Sequence, residues 1–469
     1  MPLVKMVRHE ARQMAVDRTL AAVVAALALV VAYGVSNGAS WASFQRRVLD
    51  GVAREEAARM EALGKRIGSA GEDRGVPADQ VGLALGVREA SMPPGPLATL
   101  AIGQADLYPY HATVTTASRQ ASQADDEIEN PAHLLSGRFD LGFVIVALYP
   151  LAILALGYNL LSAEKEQGTL VLILSQPVRP GTLVLAKVLA RGAVVLGLSL
   201  AISLAGYALA GGRPSGDGLA RLGLWVAVVV AYGAFWFALA VTVNAFGRSS
   251  ATNALALAGI WLLVVAVIPA LANVFIRATY PVPSRVELIQ AIRSASDKAR
   301  AEGPRLSEKF LEAHPELARG RGEANEFAVQ TLAVQEATEA GVADVLARFE
   351  SQLVRQQGLV DRFRFLSPAI AALEALQDVA GTGSARYRHF VGQVEAFHAR
   401  WREFFRPRIL RGEPIRAEDL GHLPAFSFRE EPLGAVAGRV AIGLAGLVVP
   451  ALAVGLLGRR RLRRFPIVG

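Results

Sequence analysis

Two long apolar runs are joined by a short polar stretch that reads Leu160-Leu-Ser-Ala-Glu164-Lys-Glu166-Gln167-Gly168-Thr169 and continues as Ser175-Gln-Pro-Val-Arg179-Pro180. Acidic residues directly after an apolar run mark the point at which a helix leaves hydrocarbon for water. Gly168 suits the left-handed conformation that closes a helix, and Thr169 suits the cap of the next one. The apolar residues that follow are too few to cross a membrane. The stretch therefore predicts a short helix lying across the mouth of a helical bundle.

Apolar windows dominate the rest of the chain. Six of them lack any charged residue and cover residues 19–45, 141–163, 192–212, 222–247, 249–276 and 440–458. Each is long enough to cross about 30 Å of hydrocarbon, which takes roughly 20 helical residues. Lipid offers the backbone no hydrogen-bond partner, so each window is expected to be a helix. With 52% hydrophobic residues and a mean hydropathy of +0.34, the chain is predicted to be an all-α membrane protein with six transmembrane helices.

Basic residues indicate the orientation of these spans. When both termini are placed in the cytoplasm, the segments on that side hold 14 cations and four carboxylates, whereas the whole chain has a formal net charge of +8. Cytoplasmic segments of membrane proteins are enriched in Lys and Arg. The distribution of basic residues therefore predicts that both termini lie in the cytoplasm. Nucleic-acid binding is not expected, because the cations are split among four sites without aromatic residues between them.

This topology predicts the order of segments along the chain. They are a cytoplasmic amphipathic elbow at 1–18, spans at 19–40, 139–163, 182–210, 220–246, 250–276 and 435–458, a cytoplasmic loop at 164–181, extracytoplasmic portions at 41–138 and 279–434, and a basic cytoplasmic tail at 459–469. Two interpretations of the first segment stay open, a surface helix and a frayed polar tail. A cleaved signal peptide is disfavoured because Glu10 and Asp17 precede the first span.

Both extracytoplasmic portions are expected to be mainly helical. Apolar residues recur at helical spacing from Trp41 to Ile67, and the Gly- and Pro-rich stretch after them predicts loops with short helices or strands. Stripes that begin at Leu288 and at Val342 predict core faces of a helical bundle. Because both portions leave the membrane on the same side, they are expected to pack together. The chain has no cysteine, so this packing has no disulfide to support it, and thiolate metal sites are excluded.

Three spans have a proline in their interior, at Pro150, Pro269 and Pro450. Proline interrupts the hydrogen-bond ladder of a helix. Two interpretations carry equal weight: a hinge at which a gate bends, or a fixed kink in a static bundle.

The loop at 164–181 also has two interpretations. On general grounds it is an inert turn, with Glu164 and Glu166 solvated or paired to Lys165 and Arg179, while Lys187 and Arg191 anchor the next span to the headgroups. The alternative is a stiff lever that transmits the motion of a partner to two spans together.

Motifs around this loop favour the lever. They are Asn130-Pro-Ala-His-Leu-Leu-Ser-Gly137, Phe139-Asp140-Leu-Gly, Tyr149-Pro150-Leu, Glu164-Lys-Glu-Gln-Gly-Thr-Leu and Ser175-Gln-Pro-Val. In these motifs the chain resembles the permeases of ABC-2-type transporters. More narrowly, it resembles the branch with a large extracytoplasmic insertion between spans five and six, known as DUF3526. Leu366-Ser-Pro-Ala and Ala380-Gly-Thr-Gly are similar to that insertion.

The resemblance implies an ABC-2 (type V) exporter-like fold in which the loop is the coupling helix that docks on a separate ATPase. It assigns this role to Glu164, Glu166, Gln167, Gly168, Thr169, Ser175 and Arg179. It also implies ABC ATPase subunits and a second permease, identical or paralogous, as partners in a bacterial inner membrane. Periplasmic or outer-membrane proteins are further candidate partners.

Motifs for catalysis and nucleotide binding are missing from the sequence. It contains no Gly-x4-Gly-Lys-Ser/Thr, no Gly-x-Ser-x-Gly and no His-Glu-x-x-His. The chain is therefore not expected to be an enzyme or to bind a cofactor or metal. ATP and Mg are expected on the partner ATPase. Because the six apolar windows contain no Asp, Glu, Lys or Arg, the sequence argues against an ion-driven transporter. The expected function is a permease subunit of an ABC exporter, and the alternative is an ATPase-coupled scaffold or mechanotransmission subunit acting on extracytoplasmic partners.

Overall fold

The computed structural model describes residues 2–70, 75–117, 139–176, 178–209, 216–281, 285–313 and 323–465. The motif from Asn130 to Gly137 lies outside the described residues. Most of the described chain is helical, and six helices are long and apolar enough to cross a membrane. The predicted all-α membrane fold with six spans is confirmed.

The first part of the chain contains five of the spans. It begins with α1 (Pro2–Val16), α2 (Arg18–Ala70), β1 (Val76–Pro77), α3 (Ala78–Gln80) with a π turn (Val81–Leu85), β2 (Arg88–Ser91) and β3 (His111–Val114). α4 consists of Leu141–Phe143, a π turn at Val144–Leu148 and Tyr149–Gly157, and α5 (Ser162–Glu166) and α6 (Thr169–Leu174) follow. Next come α7 (Pro180–Leu209), α8 (Gly216–Asn244) and α9, which consists of Ser250–Trp261, a π turn at Leu262–Val267 and Ile268–Thr279.

The second part contains α10 (Arg285–Ala301), α11 (Gly303–Ala313), α12 (Glu323–Phe363) with a 3-10 turn (Arg364–Leu366), α13 (Pro368–Ala380), α14 (Ser384–Arg411), β4 (Pro414–Ile415), a 3-10 turn (Ala417–His422) and α15 (Leu433–Leu462). The helix predicted from Trp41 to Ile67 is present as the continuation of the first span, because α2 runs unbroken to Ala70.

The centre of the span bundle is α8. Its side chains Trp225, Tyr232 and Trp236 are fully buried, and Gly233 allows the ring of Tyr149 on α4 to pack against its backbone. α9 lies at the periphery, since 6% of its most apolar window is buried within the chain, compared with 56% for α8. Lipid or a partner subunit is therefore left to cover α9.

Two of the three span prolines lie beside π turns whose freed carbonyls receive hydroxyl donors. Tyr232 donates to the carbonyl of Val146, four residues before Pro150, at 2.8 Å. Ser367 donates to the carbonyl of Val264, five residues before Pro269, at 2.6 Å. Pro450 lies inside the regular helix α15. Tertiary contacts thus satisfy backbone groups that the prolines leave open.

Opposite ends of the bundle carry different structures. At one end, here named the loop end, α1, α5, α6, the α8–α9 turn and the C-terminus of α15 come together. At the other end lies the appended domain, here defined as residues 41–117, 285–366 and 384–432. In the appended domain β1 pairs with β4, matching Val76 to Ile415, and the Trp401 ring nitrogen donates to the carbonyl of Gly82 at 3.1 Å. The two portions that flank spans two to five therefore share one core, as expected.

Both predicted stripes of the appended domain face inward, to different extents. Ile292 and Ala299 of α10 are buried where this helix packs on α12. On α12, Val342 is buried, but Leu353 is 41% exposed. The second stripe is thus a core face over its first half.

An unexpected helix, α13, packs among the spans. Its 13 residues rise about 20 Å, which is too short to cross a bilayer. Ala372, Leu376 and Val379 nevertheless belong to the same core as α8 and α15. Ser367 caps its N-terminus by accepting from the amide of Ala369. Sequence analysis placed this stretch in the extracytoplasmic portion, because a run this short gives no signal for a span.

Glu374 lies on the opposite face of α13, beside Arg364 at 3.0 Å. Burial raises the pKa of the Glu374 carboxyl to about 7, although the charge of Arg364 opposes this shift. The folded chain therefore holds a proton there that the unfolded chain releases at lower pH. Between about pH 4 and pH 7 the unfolded chain loses this proton while the folded chain keeps it, which removes on the order of 2–3 kcal/mol of folding stability.

We expect Glu374→Gln to remove this pH dependence. Relative to the variant, the wild type should lose stability between roughly pH 4 and pH 7, as measured by thermal unfolding in detergent. The exposed carboxylate variant Glu413→Gln is the control and should follow the wild type. Identical pH profiles for Glu374→Gln and the wild type would refute the assignment.

Candidate coupling segment

Residues 162–179 form the loop segment, which links the end of α4 to the start of α7. Its two short helices meet at Gly168, whose φ of +71° is the predicted left-handed conformation. The predicted capping role of Thr169 is wrong. Gly168 occupies the N-cap position of α6, and the Thr169 hydroxyl donates back to the carbonyl of Glu164 at 3.3 Å.

α6 has one buried face and one exposed face. Leu170 is fully buried, and Ile173 and Leu174 pack beside it on the end of the span bundle. On the opposite side the side chains of Val171 and Leu172 are 52% and 70% exposed. Helical periodicity places Gly168 and Ser175 on the same outward face. α6 thus presents a small apolar patch with polar edges, here named the α6 patch and defined as Gly168, Val171, Leu172 and Ser175.

A buried ion pair fixes the start of the loop segment to α7. The ammonium of Lys187 donates to Glu164 and, at 2.9 Å, to the carbonyl of Leu160. Lys187 is 4% exposed, so the prediction that it anchors α7 to lipid headgroups is wrong. An inward carboxylate and an open helix-end carbonyl supply partners that a headgroup would otherwise provide.

A second buried ion pair ties α1 to the bundle. The guanidinium of Arg191 on α7 donates to Glu10 of α1 at 2.8 and 3.1 Å. It also donates to the carbonyl of Leu156 and, at 3.2 Å, to the side chain of Asn159, both near the end of α4. Arg191 is therefore not a headgroup anchor either. The first segment is a helix packed on α7, which rules out the frayed-tail interpretation.

Glu166 joins the loop segment to the turn between α8 and α9. Its carboxylate accepts from the amide of Ser250 at 2.6 Å and from the Ser250 hydroxyl at 3.0 Å. The oxygen of the same hydroxyl lies 2.8 Å from the Ser162 hydroxyl, which can donate to it, and Lys165 donates to the carbonyl of Gly247 at 3.3 Å. The predicted pairing of the two glutamates with Lys165 and Arg179 is not observed. Glu164 contacts α7 and Glu166 contacts the start of α9 instead.

The residues predicted for coupling therefore divide into two groups. Glu164, Glu166 and Thr169 form hydrogen bonds within the chain that hold the loop segment in place, whereas Gln167, Gly168, Ser175 and Arg179 face outward. Sequence analysis missed Val171 and Leu172 as surface residues, although their spacing from Gly168 and Ser175 carried the signal. It also missed Glu10, whose partner lies 181 residues away and has no local signature.

The turn at Gly168 supports a prediction. A Cβ there meets no atom within 4 Å, so the cost of Gly168→Ala comes from the backbone alone, about 1–2 kcal/mol. We expect faster amide exchange over 164–176 in this variant. Gly168→Asn is the matched control and should be less affected, because Asn tolerates the left-handed region. Equal exchange in both variants and the wild type would contradict the prediction.

Two protein-family models match two separate parts of the chain. The family model for the ABC-2 type transporter matches residues 110–276, which include the loop segment and spans two to five. The model for a domain of unknown function, DUF3526, matches residues 285–429, which cover most of the appended domain and α13. Comparison with curated proteins gives no match. The chain is thus a multi-pass membrane protein that contains an ABC-2 type transporter domain followed by a DUF3526 domain, as expected of the permeases that its motifs resemble.

Proposed function

We propose that this chain is the membrane-spanning subunit of an ABC exporter and that a separate ATPase docks on the α6 patch. The observation that carries the proposal is an exposed apolar patch on a short helix held rigidly against the spans. Leu172 is 70% exposed, while the carboxylates of Glu164 and Glu166 are occupied by internal partners. An exposed apolar cluster with a polar rim is typical of a docking site.

The contacts of the loop segment explain how docking moves the spans. Glu164 connects it to α7 and Glu166 connects it to the start of α9, while α5 follows directly on α4. A push on α6 therefore displaces three spans as one body rather than bending a free loop. The π turns beside Pro150 and Pro269 are the proposed hinges, and Pro450 is a third candidate.

The remaining parts of the complex follow from what the chain contains. ATP and Mg are assigned to the ATPase, since the sequence has no phosphate-binding loop. A second permease, identical or paralogous, is proposed to complete the assembly, and the exposed length of α9 offers surface for it or for lipid. The loop end is assigned to the cytoplasm, with both termini, because its segments are rich in Lys and Arg. The membrane proposed is the bacterial inner membrane.

Purification of the tagged chain from native membranes tests the proposal. An ABC ATPase should co-purify and hydrolyse ATP in proteoliposomes. The paired change Glu164→Ala and Glu166→Ala should lower both the co-purification and the turnover, because it releases the loop segment from α7 and α9. Wild-type values for both would count against the proposed coupling.

Single cysteines test the assigned sides of the membrane. The natural chain contains none, so Leu172→Cys and Gly421→Cys each provide one label site, at the α6 patch and in the appended domain. In intact spheroplasts a membrane-impermeant maleimide should label position 421 and should reach position 172 after permeabilisation. The reverse pattern would overturn the topology.

A second candidate function is an ATPase-coupled scaffold that acts on extracytoplasmic proteins. It is favoured by the appended domain, whose aromatic core around Phe397, Trp401 and Phe405 is continuous with α2, a helix that is itself a span. Motion of the span would reach this domain without a flexible joint. ATP-dependent movement of a cargo into inverted vesicles would favour the exporter and exclude a purely mechanical role.

A further inference from the structure

A furrow of about 1200 Å³ opens between α7, α8 and α15 at the loop end. Its walls are apolar and include Val188 and Leu196 of α7 with Val230 and Phe237 of α8. This volume exceeds the roughly 300–1,000 Å³ of a pocket for a drug-sized ligand. The furrow therefore has room for a ligand with long apolar chains.

Small residues keep the furrow open. Gly192 on α7 and Gly455 on α15 face α8, where Ala234 and Ala238 line the floor. A Cβ on Gly455 would lie 3.8 Å from Ala238, and one on Gly192 would lie 3.5 Å from Phe237. Ala234 is exposed although most of its neighbours on α8 are buried. α7 and α15 therefore stand apart over α8 instead of closing on each other.

Three arginines line one end of the furrow. Arg179 precedes α7, and Arg459 and Arg463 lie at the end of α15. Within the described ranges no carboxylate lines the furrow, and none of these three guanidiniums forms an ion pair. In contrast, Lys187 and Arg191 at the same end are both paired. Three unpaired cations at the mouth of an apolar furrow indicate an anionic ligand.

We propose that the furrow binds one anionic phospholipid, with its acyl chains between α7 and α15 and its phosphate on the three arginines. Basic pockets between transmembrane helices at a membrane surface are suited to anionic headgroups. Guanidinium and phosphate form bidentate hydrogen bonds, which an uncharged amphiphile cannot supply. A zwitterionic phospholipid has the same phosphate but also a headgroup cation, which the three arginines repel. A neighbouring helix would fill the apolar furrow but would leave the arginines without partners.

The bound lipid would connect two parts of the loop end. Arg179 is the last residue before α7, and Arg459 and Arg463 end α15, the last span. A phosphate held between them restrains the exit of the loop segment against the C-terminal helix. Anionic lipid should therefore stabilise the fold, whether or not an ATPase binds, so this inference stands apart from the proposed function.

Native mass spectrometry with two lipids of equal chain length tests the site. We expect the wild type to retain dioleoyl phosphatidylglycerol at least about tenfold more strongly than dioleoyl phosphatidylcholine. The triple change R179Q/R459Q/R463Q should abolish this preference. The matched control R248Q/R460Q/R464Q removes three exposed arginines of the same end that do not line the furrow, and it should keep the preference.

A second variant tests the apolar part without changing a charge. Ala234→Phe fills the floor of the furrow and should reduce retention of phosphatidylglycerol several-fold while the circular dichroism spectrum stays unchanged. Phosphatidylglycerol should raise the melting temperature of the wild type and of the control triple, whereas inorganic phosphate should not. Stabilisation by inorganic phosphate alone would indicate that the arginines bind a simple anion and not a phospholipid.

Other outcomes would overturn the proposal. Equal retention of the two lipids by the wild type would show adventitious lipid only. Equal loss of the preference in both triple variants would show that the preference arises from general surface charge and not from the furrow. A dimer that Ala234→Phe dissociates, without any preference for phosphatidylglycerol, would assign the furrow to a second copy of the chain.

Discussion

Replacing Leu172 with glutamate should reduce the amount of ATPase that co-purifies with the chain at least about tenfold. Leu172 projects from the outward face of α6, and its side chain is 70% exposed. The change therefore costs the isolated permease little, since surface substitutions shift folding stability by about 0.5 kcal/mol or less. In the complex the new carboxylate would be buried without a partner, which costs several kcal/mol.

Quantitative pull-down from native membranes measures this effect. Arg460→Glu is the control, because it places an acidic side chain at the same end of the molecule but outside the α6 patch. This control should retain the ATPase, and both variants should melt within a few degrees of the wild type. Normal ATPase recovery with Leu172→Glu would remove the α6 patch from the docking surface.

The second large effect concerns Arg191 and Glu10. Both side chains are less than one tenth exposed, and Arg191 also donates hydrogen bonds to Asn159 and to a carbonyl of α4. Arg191→Met leaves a buried carboxylate without its partner and opens two further hydrogen-bond positions. We expect a loss of about 3–5 kcal/mol of folding stability, measured by unfolding in detergent.

A double-mutant cycle separates the ion pair from the other contacts of Arg191. Glu10→Gln should cost less than Arg191→Met, because the guanidinium keeps its contacts with α4. The double variant should be more stable than the sum of the two losses predicts, with a coupling of about 1–3 kcal/mol. Additive losses would mean that Glu10 and Arg191 have no coupling energy.

Local features of the loop segment were predictable from the sequence. Gly168 between two short helical runs fixed the left-handed turn, and the length of the run after Thr169 limited α6 to less than a span. Both depend on neighbouring residues. The direction in which α6 faces was also available in its periodicity, since Leu170, Ile173 and Leu174 form one side of a helix.

Features that depend on distant residues were not predictable. Lys187 and Arg191 are basic residues near the start of a span, as headgroup anchors are. They are buried because Glu164 and Glu10 lie beside them in the fold. The packing of α13 among the spans and the pairing of β1 with β4 join residues far apart in the chain. No local propensity or hydropathy window contains these contacts, because many partners of the same chemical type are available.

Photo-crosslinking from position 172 shows whether an ATPase docks on the α6 patch. A photoreactive amino acid is placed at Leu172 or, as the control, at Gly421 in the appended domain, and native membranes are irradiated before purification. We expect the product from position 172 to contain an ABC ATPase and the product from position 421 to lack one. An ATPase crosslinked from position 421 and not from position 172 would contradict this expectation.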